Sequence, residues 1–286
     1  MLKGLSLLGD VCSADRPRSA TSLLPLSWLA AALVVVSGCA SEPLPPVGAS
    51  IRSPSRYPST APLPTPIRTI MLDPGHGGDD PGTSHYGLKE KYLVLDIARR
   101  LRGYLQDAGY TVVMTRDADQ FIPLGRRPST ANRLRADLFV SIHINANRNS
   151  RVSGAEVYYP RLSTVAGTSA WPPAVTAGEI GLASTTVRQV LWDLVLGRTR
   201  FQSRRLASSV CRSMRDGLQV PCRAVKPARF VVLREAWMPA VLVEVGYVSN
   251  QAEASRLSRA EYRQAAARAI TDGVVSYIRS LGAEPI

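Results

Sequence analysis

The sequence predicts a single α/β domain with a mixed sheet, parallel at its centre, and helices on both faces. Three observations carry this. Beyond residue 67, short apolar runs alternate with longer segments of helical period. Two of those runs, "LFVSIHI" (138–144) and "AVLVEVGYV" (240–248), are almost wholly apolar, as central strands covered on both faces are. The chain has 286 residues, 45% of them hydrophobic, which is enough for one sizeable core and too little for a multi-span membrane protein.

The elements follow in order. "IRTIMLD" (67–73) reads as a strand ending at a Pro-Gly turn. "EKYLVLDIARRLRGYLQDAG" (90–109) reads as a helix, because Leu93, Ile97, Leu101 and Leu105 recur every four residues and Gly109 stops it. "YTVVMTR" (110–116) is a strand, and "PSTANRLRAD" (128–137) a short helix that tolerates Pro128 in its first turn. "LFVSIHI" and "GAEVYYP" (154–160) are the next strands. "TTVRQVLWDLVLG" (185–197) and "QSRRLASSVCRSMRDGL" (202–218) read as two helices, and "ARFVVLRE" (228–235) and "AVLVEVGYV" as two strands. The last helix opens on a capping box of Ser258 and Glu261 and turns Tyr262, Ala266, Ile270, Val274 and Ile278 inward.

The formal charge is +13. Lys3, Arg16 and Arg18 against Asp10 and Asp15 leave +1 in the first 39 residues, so +12 lies beyond them. This favours an anionic partner: nucleic acid, an anionic membrane surface or an acidic wall polymer. Residues 1–39 read as a lipoprotein-type signal peptide, with basic residues, the apolar run "LLPLSWLAAALVVVSGCA" and a small-residue exit. Val36-Ser37-Gly38-Cys39 resembles a bacterial lipobox, which makes Cys39 the lipidated first residue of the mature chain. Ala40 and Ser41 after it resemble the pattern of outer-membrane sorting. An uncleaved anchor, with Cys39 buried in its helix, competes because the run is long enough to span a bilayer. Residues 40–67 hold eight prolines and read as a linker, whose 28 residues reach roughly 85 Å at ~3.1 Å per residue. Cys211 and Cys222, 11 apart, either pair as a disulfide or stay as two buried thiols, since sequence fixes no Cα separation.

In sheets of this kind ligands bind beyond the carboxyl ends of the strands, and three strand ends carry unusual polar residues. The first leads into "LDPGHGGDDPGTSHYGLKEK" (72–91), which holds two of the chain's three histidines, His76 and His85. The second carries His143, and the third Glu244 inside "AVLVEVG". A carboxylate in an apolar strand costs several kcal/mol unless it is paired, neutralised or beside a metal. Each residue also has an ordinary explanation: a structural salt bridge for Glu244, a satisfied core imidazole for His143, a solvated turn for His76, a helix's first turn for Glu90. Together they offer something more. Two His and one Glu with an open fourth position form a catalytic zinc set, and a second carboxylate can act as general base. The glycines around His76 let backbone approach a metal.

The string "MLDPGHGGDDPGT…GLKEK", then "TRDAD…LGRR…AN…ADLFVSIHINAN", "GAEVYY", "FVVLRE…MPAVLVEVGYVSN" and a final helix resembles the zinc-dependent N-acetylmuramoyl-L-alanine amidases of bacterial cell walls, from about residue 68 to 281. The resemblance implies a six-stranded α/β fold, with zinc on His76, Glu90 and His143 and Glu244 as the catalytic glutamate. It implies cleavage of the bond between the lactyl group of N-acetylmuramic acid and L-alanine of the stem peptide in peptidoglycan. Asp73 or Asp79 would hold a ligand histidine unless each serves an Asx turn, and His85 falls outside the matched ligand positions.

Residues 68–283 are then the catalytic domain, and 161–198 is longer than a minimal member needs. Autoinhibited relatives insert there a helix that covers the zinc until an activator protein displaces it, with a carboxylate on the metal; Glu179 is the first candidate here and Asp193 the second, against an ordinary surface excursion. The implied setting is the periplasm, with the chain tethered to the outer membrane through Cys39. Two alternatives stand beside this: a zinc exopeptidase acting on stem peptides, and a basic wall-binding lipoprotein without activity. Nucleic acid is not expected, because no binding motif is present and the charge is spread along the chain.

Overall fold

The structure, a computed structural model, describes residues 67–161 and 185–282, with side chains in the second stretch described from Asp193 on. The proposed signal peptide, Cys39, most of the Pro-rich linker and Glu179 lie outside the described residues.

Six strands form one sheet in the order β4-β1-β5-β8-β6-β7: β1 (Thr69–Pro74), β4 (Thr111–Met114), β5 (Leu138–Asn145), β6 (Ala155–Pro160), β7 (Cys222–Ala228) and β8 (Ala240–Tyr247). β4, β1, β5 and β8 run parallel, β6 is antiparallel to β8, and β7 is parallel to β6. The ends of β1, β5 and β8 therefore share one edge of the sheet, as adjacent parallel neighbours. A small hairpin, β2 (Ser84–His85) and β3 (Leu88–Lys89), stands apart before the first helix. Its Tyr86-Gly87 turn has φ of 52° and 77°, the positive values that a two-residue hairpin of right-handed twist demands.

Alternation along the strands builds two cores. Ile70, Leu72, Val140, Ile142, Val241 and Val243 point to the face covered by α1 (Glu90–Asp107), α3 (Thr185–Leu218) and α6 (Ala260–Gly282). Met71, Phe139 and Leu242 point to the other face, under α2 (Arg126–Arg133) and α4 (Val231–Arg234). Leu93, Ile97, Leu101 and Leu105 of α1 are buried as their spacing requires, each contributing about 2 kcal/mol of apolar burial. At Gly273 an added Cβ would sit 2.5 Å from Val210 Cα, so the missing side chain lets α6 close on α3. Cys211 and Cys222 are bonded, with Cα atoms 5.6 Å apart, and join α3 to β7.

Three sequence expectations are corrected. The two helices at 185–197 and 202–218 are one 34-residue helix; Gly197 costs a helix about 1 kcal/mol but does not end it when packing continues. "ARFVVLRE" is not a strand. β7 lies just before it, an edge strand with Arg223, Lys226 and Pro227 exposed, and its strand state comes from pairing with β6. Val231–Arg234 form α4, which buries Val232 and Leu233; a short apolar run cannot by its period distinguish strand from helix. Ser258 does not cap the last helix: it ends α5 (Gln251–Ser258), and its hydroxyl donates to the Ser255 carbonyl at 2.9 Å. A side-chain cap forms one helix earlier, on α5, where Asn250 accepts from Glu253 N.

Candidate active site

β1 ends at Pro74 and leads into Gly75 and His76. An added Cβ at Gly75 would lie under 3.0 Å from three ring atoms of His143, and one at Gly82 would crowd Glu90 and His76. These two glycines therefore let three functional side chains from separate segments converge. The turn beyond is closed by Gly77 N to Asp80 O (2.9 Å) and Asp80 N to Gly77 O (3.2 Å). It places Asp80 Oδ2 2.8 Å from His76 Nδ1. With Nδ1 donating to this carboxylate, His76 presents Nε2 to the site.

Glu90 opens α1 and is buried, 2% exposed. Its Oε2 accepts from Thr83 N (2.9 Å) and Thr83 Oγ1 (3.2 Å), and its Oε1 from Ile144 N (3.0 Å). The same carboxylate faces His76 Nε2 at 3.2 Å and His143 Nδ1 at 2.9 Å. Burial alone would raise its pKa, but the hydrogen bonds and charge of His143 and His76 outweigh this and hold it far below the usual range. Burial would likewise lower the His76 pKa, and Glu90 and Asp80 reverse this to a net rise. His76, Glu90 and His143 each offer a ligand atom, all within 4.8 Å of one another. Two imidazoles and a carboxylate so placed fit a divalent metal.

Glu244 pairs in register with His143 on β5 and with Glu156 on β6. Part of the residue reaches the surface, yet its Oε2 is sealed from solvent and has no hydrogen-bond partner. Burial first, and then the charges of Glu90 and Glu156, push its pKa well above the ordinary carboxylate value. Glu156 goes the other way. Burial would raise its pKa, but Tyr158 Oη at 2.5 Å and Lys226 Nζ at 3.2 Å bring it down. Two carboxylates side by side are thus set apart, one held charged and the other poised to take a proton.

Of the residues singled out in the sequence, the structure brings His76, Glu90 and His143 together and sets Glu244 beside His143 on the neighbouring strand. His85 is exposed on the β2–β3 hairpin, outside the cluster. The aspartate that holds His76 is neither Asp73 nor Asp79. Asp73 is buried against Arg127 Nη1 (3.0 Å), Thr115 Oγ1 (2.7 Å) and Ser141 Oγ (2.8 Å), and Asp79 is exposed. Asp80 takes the role, since the Gly77–Asp80 turn directs it back onto His76. Sequence reasoning also missed Glu156, although a glutamate in the apolar run "GAEVYY" carries the same signal that singled out Glu244.

A largely parallel sheet with a His–Glu–His donor set and an unpartnered carboxylate oxygen at one edge defines the class: an α/β protein whose strand ends gather residues able to hold a divalent metal. The model of the N-acetylmuramoyl-L-alanine amidase family matches residues 70–276. The chain is 39% identical over 221 residues to the amidase AmiC of Neisseria meningitidis serogroup B, covering 74% of this chain and 53% of that one. It is 37% identical to the amidase AmiA of Escherichia coli K12, covering 73% and 76%. Among solved structures, the amidase AmiC2 of Nostoc punctiforme superposes with a TM-score of 0.58 at 32% identity, covering 74% of this chain and 98% of that one. The chain belongs to the N-acetylmuramoyl-L-alanine amidase family, an enzyme family of peptidoglycan hydrolases. It spans about half the length of the Neisseria relative. These relatives favour neither the exopeptidase nor the non-enzymatic alternative.

Proposed function

We propose that this chain hydrolyses the amide bond between the lactyl group of N-acetylmuramic acid and L-alanine of the stem peptide, with zinc on His76, Glu90 and His143 and Glu244 as general base. The observation that carries the reading is the orphaned, sealed Oε2 of Glu244 beside the three-donor cluster. A buried polar atom without a partner needs a reason, and a proton arriving during the reaction supplies one. Two imidazole donors favour zinc over magnesium or calcium; when bound, it would supply Lewis acidity for the amide carbonyl and for water.

The residues of the chain then divide the work. Glu244, whose raised pKa makes proton uptake favourable, takes the proton of the attacking water and passes it to the departing L-alanine nitrogen. Glu156, held charged, keeps a negative field beside Glu244 that favours the protonated form. Asp80 fixes the ring of His76, and Thr83 and Ile144 fix the carboxylate of Glu90. Export and tethering through Cys39 to the outer membrane, with the enzyme working on peptidoglycan in the periplasm, complete the proposal. Among the described residues no helix is long and apolar enough to cross a membrane. Control by an inserted segment and an activator is part of the same proposal, with Asp193 exposed on α3 and Glu179 outside the described residues.

Digestion of purified peptidoglycan with the chain, with and without chelator, tests this reading. Release of intact stem peptides from glycan, abolished by chelator and restored by zinc, is the expected result. Cuts only within the stem peptide, or no cleavage under any condition, would defeat it.

A further inference from the structure

Behind the loop that carries His76 lie two arginines almost shut off from solvent, Arg116 at 1% and Arg127 at 2% exposure. Arg127 spreads over the end of β1. Its Nη1 donates to Pro74 O (2.8 Å) and Asp73 Oδ1 (3.0 Å), its Nη2 to His76 O (2.9 Å) and its Nε to Ile122 O (3.0 Å). Arg116 covers the neighbouring groups. Its Nε donates to Pro74 O (3.0 Å), its Nη2 to Gly75 O (2.6 Å) and Lys91 O (3.0 Å), and its Nη1 to Ala118 O (3.1 Å). The carbonyls of residues 74, 75 and 76 each accept from a guanidinium. Through Lys91, Arg116 also ties this loop to the first turn of α1, where Glu90 sits.

A plain buried ion pair does not explain this pattern, since Asp73 takes only one of Arg127's four hydrogen bonds. Charge does not explain it either: two fixed cations behind a metal loop oppose a third by simple repulsion. Geometry does. His76 has φ of 58°, a left-handed conformation that a residue with a Cβ keeps only where its surroundings over-determine it. Its carbonyl is held by Arg127, its Nδ1 by Asp80 and the preceding carbonyl by Arg116, which leaves Nε2 aimed at the site.

We propose that Arg127, supported by Arg116, is a positioning residue for the metal centre, holding the His76 backbone so that its ring meets Glu90 and His143. This rests on the zinc reading above. The test is zinc affinity of the full chain by chelator competition, with the melting temperature of the metal-free protein alongside. Arg127→Lys keeps a cation opposite Asp73 but cannot span Asp73, Pro74 and His76 together, so zinc affinity should fall about ten- to hundredfold. Asp73→Asn removes the ion pair and leaves the carbonyl contacts, so it should lower the melting temperature with zinc affinity within about threefold of wild type. Wild-type affinity in Arg127→Lys, or equal losses in both variants, would overturn the proposal. If Arg127→Lys does not fold, Arg116→Lys is measured the same way, with the same expected loss. If neither folds, nitrogen-labelled arginine in the wild-type chain decides: zinc should shift the Arg127 guanidinium resonances, and unmoved resonances would overturn the assignment. A wild-type chain that takes up no zinc sinks the metal reading itself, and the clamp with it.

Discussion

Glu90 accepts three hydrogen bonds from Thr83 and Ile144 and lies against two imidazoles, whereas Glu244, one strand away from His143, keeps a buried oxygen without a hydrogen-bond partner. Both carboxylates leave water at the same sheet edge, and burial acts on both in the same direction. What differs is the protein's own solvation. Backbone and hydroxyl donors with two histidines hold Glu90 ionised, while burial and then the charges of Glu90 and Glu156 make Glu244 favour the proton. In the proposed roles a ligand must keep its charge and a base must be ready to lose it, and one residue type can serve both ends by placement.

The sharpest way to break this comparison is Glu244→Gln. Turnover should fall about a thousandfold or more with zinc content unchanged by metal analysis; loss of zinc in that variant would make Glu244 a ligand and erase the contrast. Gly75→Ala should come next. Its Cβ would displace the His143 ring, so zinc affinity should drop about a hundredfold, read by chelator competition. Asp80→Asn weakens only the hold on His76 Nδ1 and should cost about tenfold in zinc affinity, with zinc-loaded turnover near wild type.

The smallest effect is in the pH dependence of metal-free stability. Glu244's folded pKa is raised from 4.5, so its contribution is fully present below that value and is lost as pH rises through the folded pKa. Glu244→Gln does not titrate, and its melting temperature should therefore gain on wild type as pH climbs above 4.5. Glu90's folded pKa is lowered from 4.5. Its contribution is present above that value and fades as pH falls below it, so Glu90→Gln should be the weaker protein at neutral pH and the gap should close in acid. Parallel pH curves for the two variants would show that the two carboxylates do not differ as described.

Much of this was legible in the chain itself. The alternation after residue 67 specified an α/β sheet, because apolar period reports directly which face of an element is covered. Two residues of the proposed site, His143 and Glu244, stood out as well, since a glutamate or histidine in an apolar strand contrasts with its surroundings, whereas His76 in its glycine-rich loop and Glu90 in a helix's first turn were pointed to by the resemblance in motif. Elements whose state depends on neighbours were not legible. β7 has no apolar pattern and is a strand because β6 is beside it, and Val231–Arg234 satisfy helix and strand periods alike.

The sequence by itself determined the core periodicity and the set of groups able to hold a metal and move a proton, because composition and period are properties of the chain. Only the tertiary structure decided which aspartate steadies His76, which carbonyls the two buried arginines grip, and which of two adjacent glutamates carries charge. These depend on atoms from strands, turns and helices tens of residues apart meeting within 3 Å or so, where hydrogen bonds and desolvation act. Arg127 shows the difference: in sequence it is one of 35 basic residues, and in the fold it grips the backbone of His76.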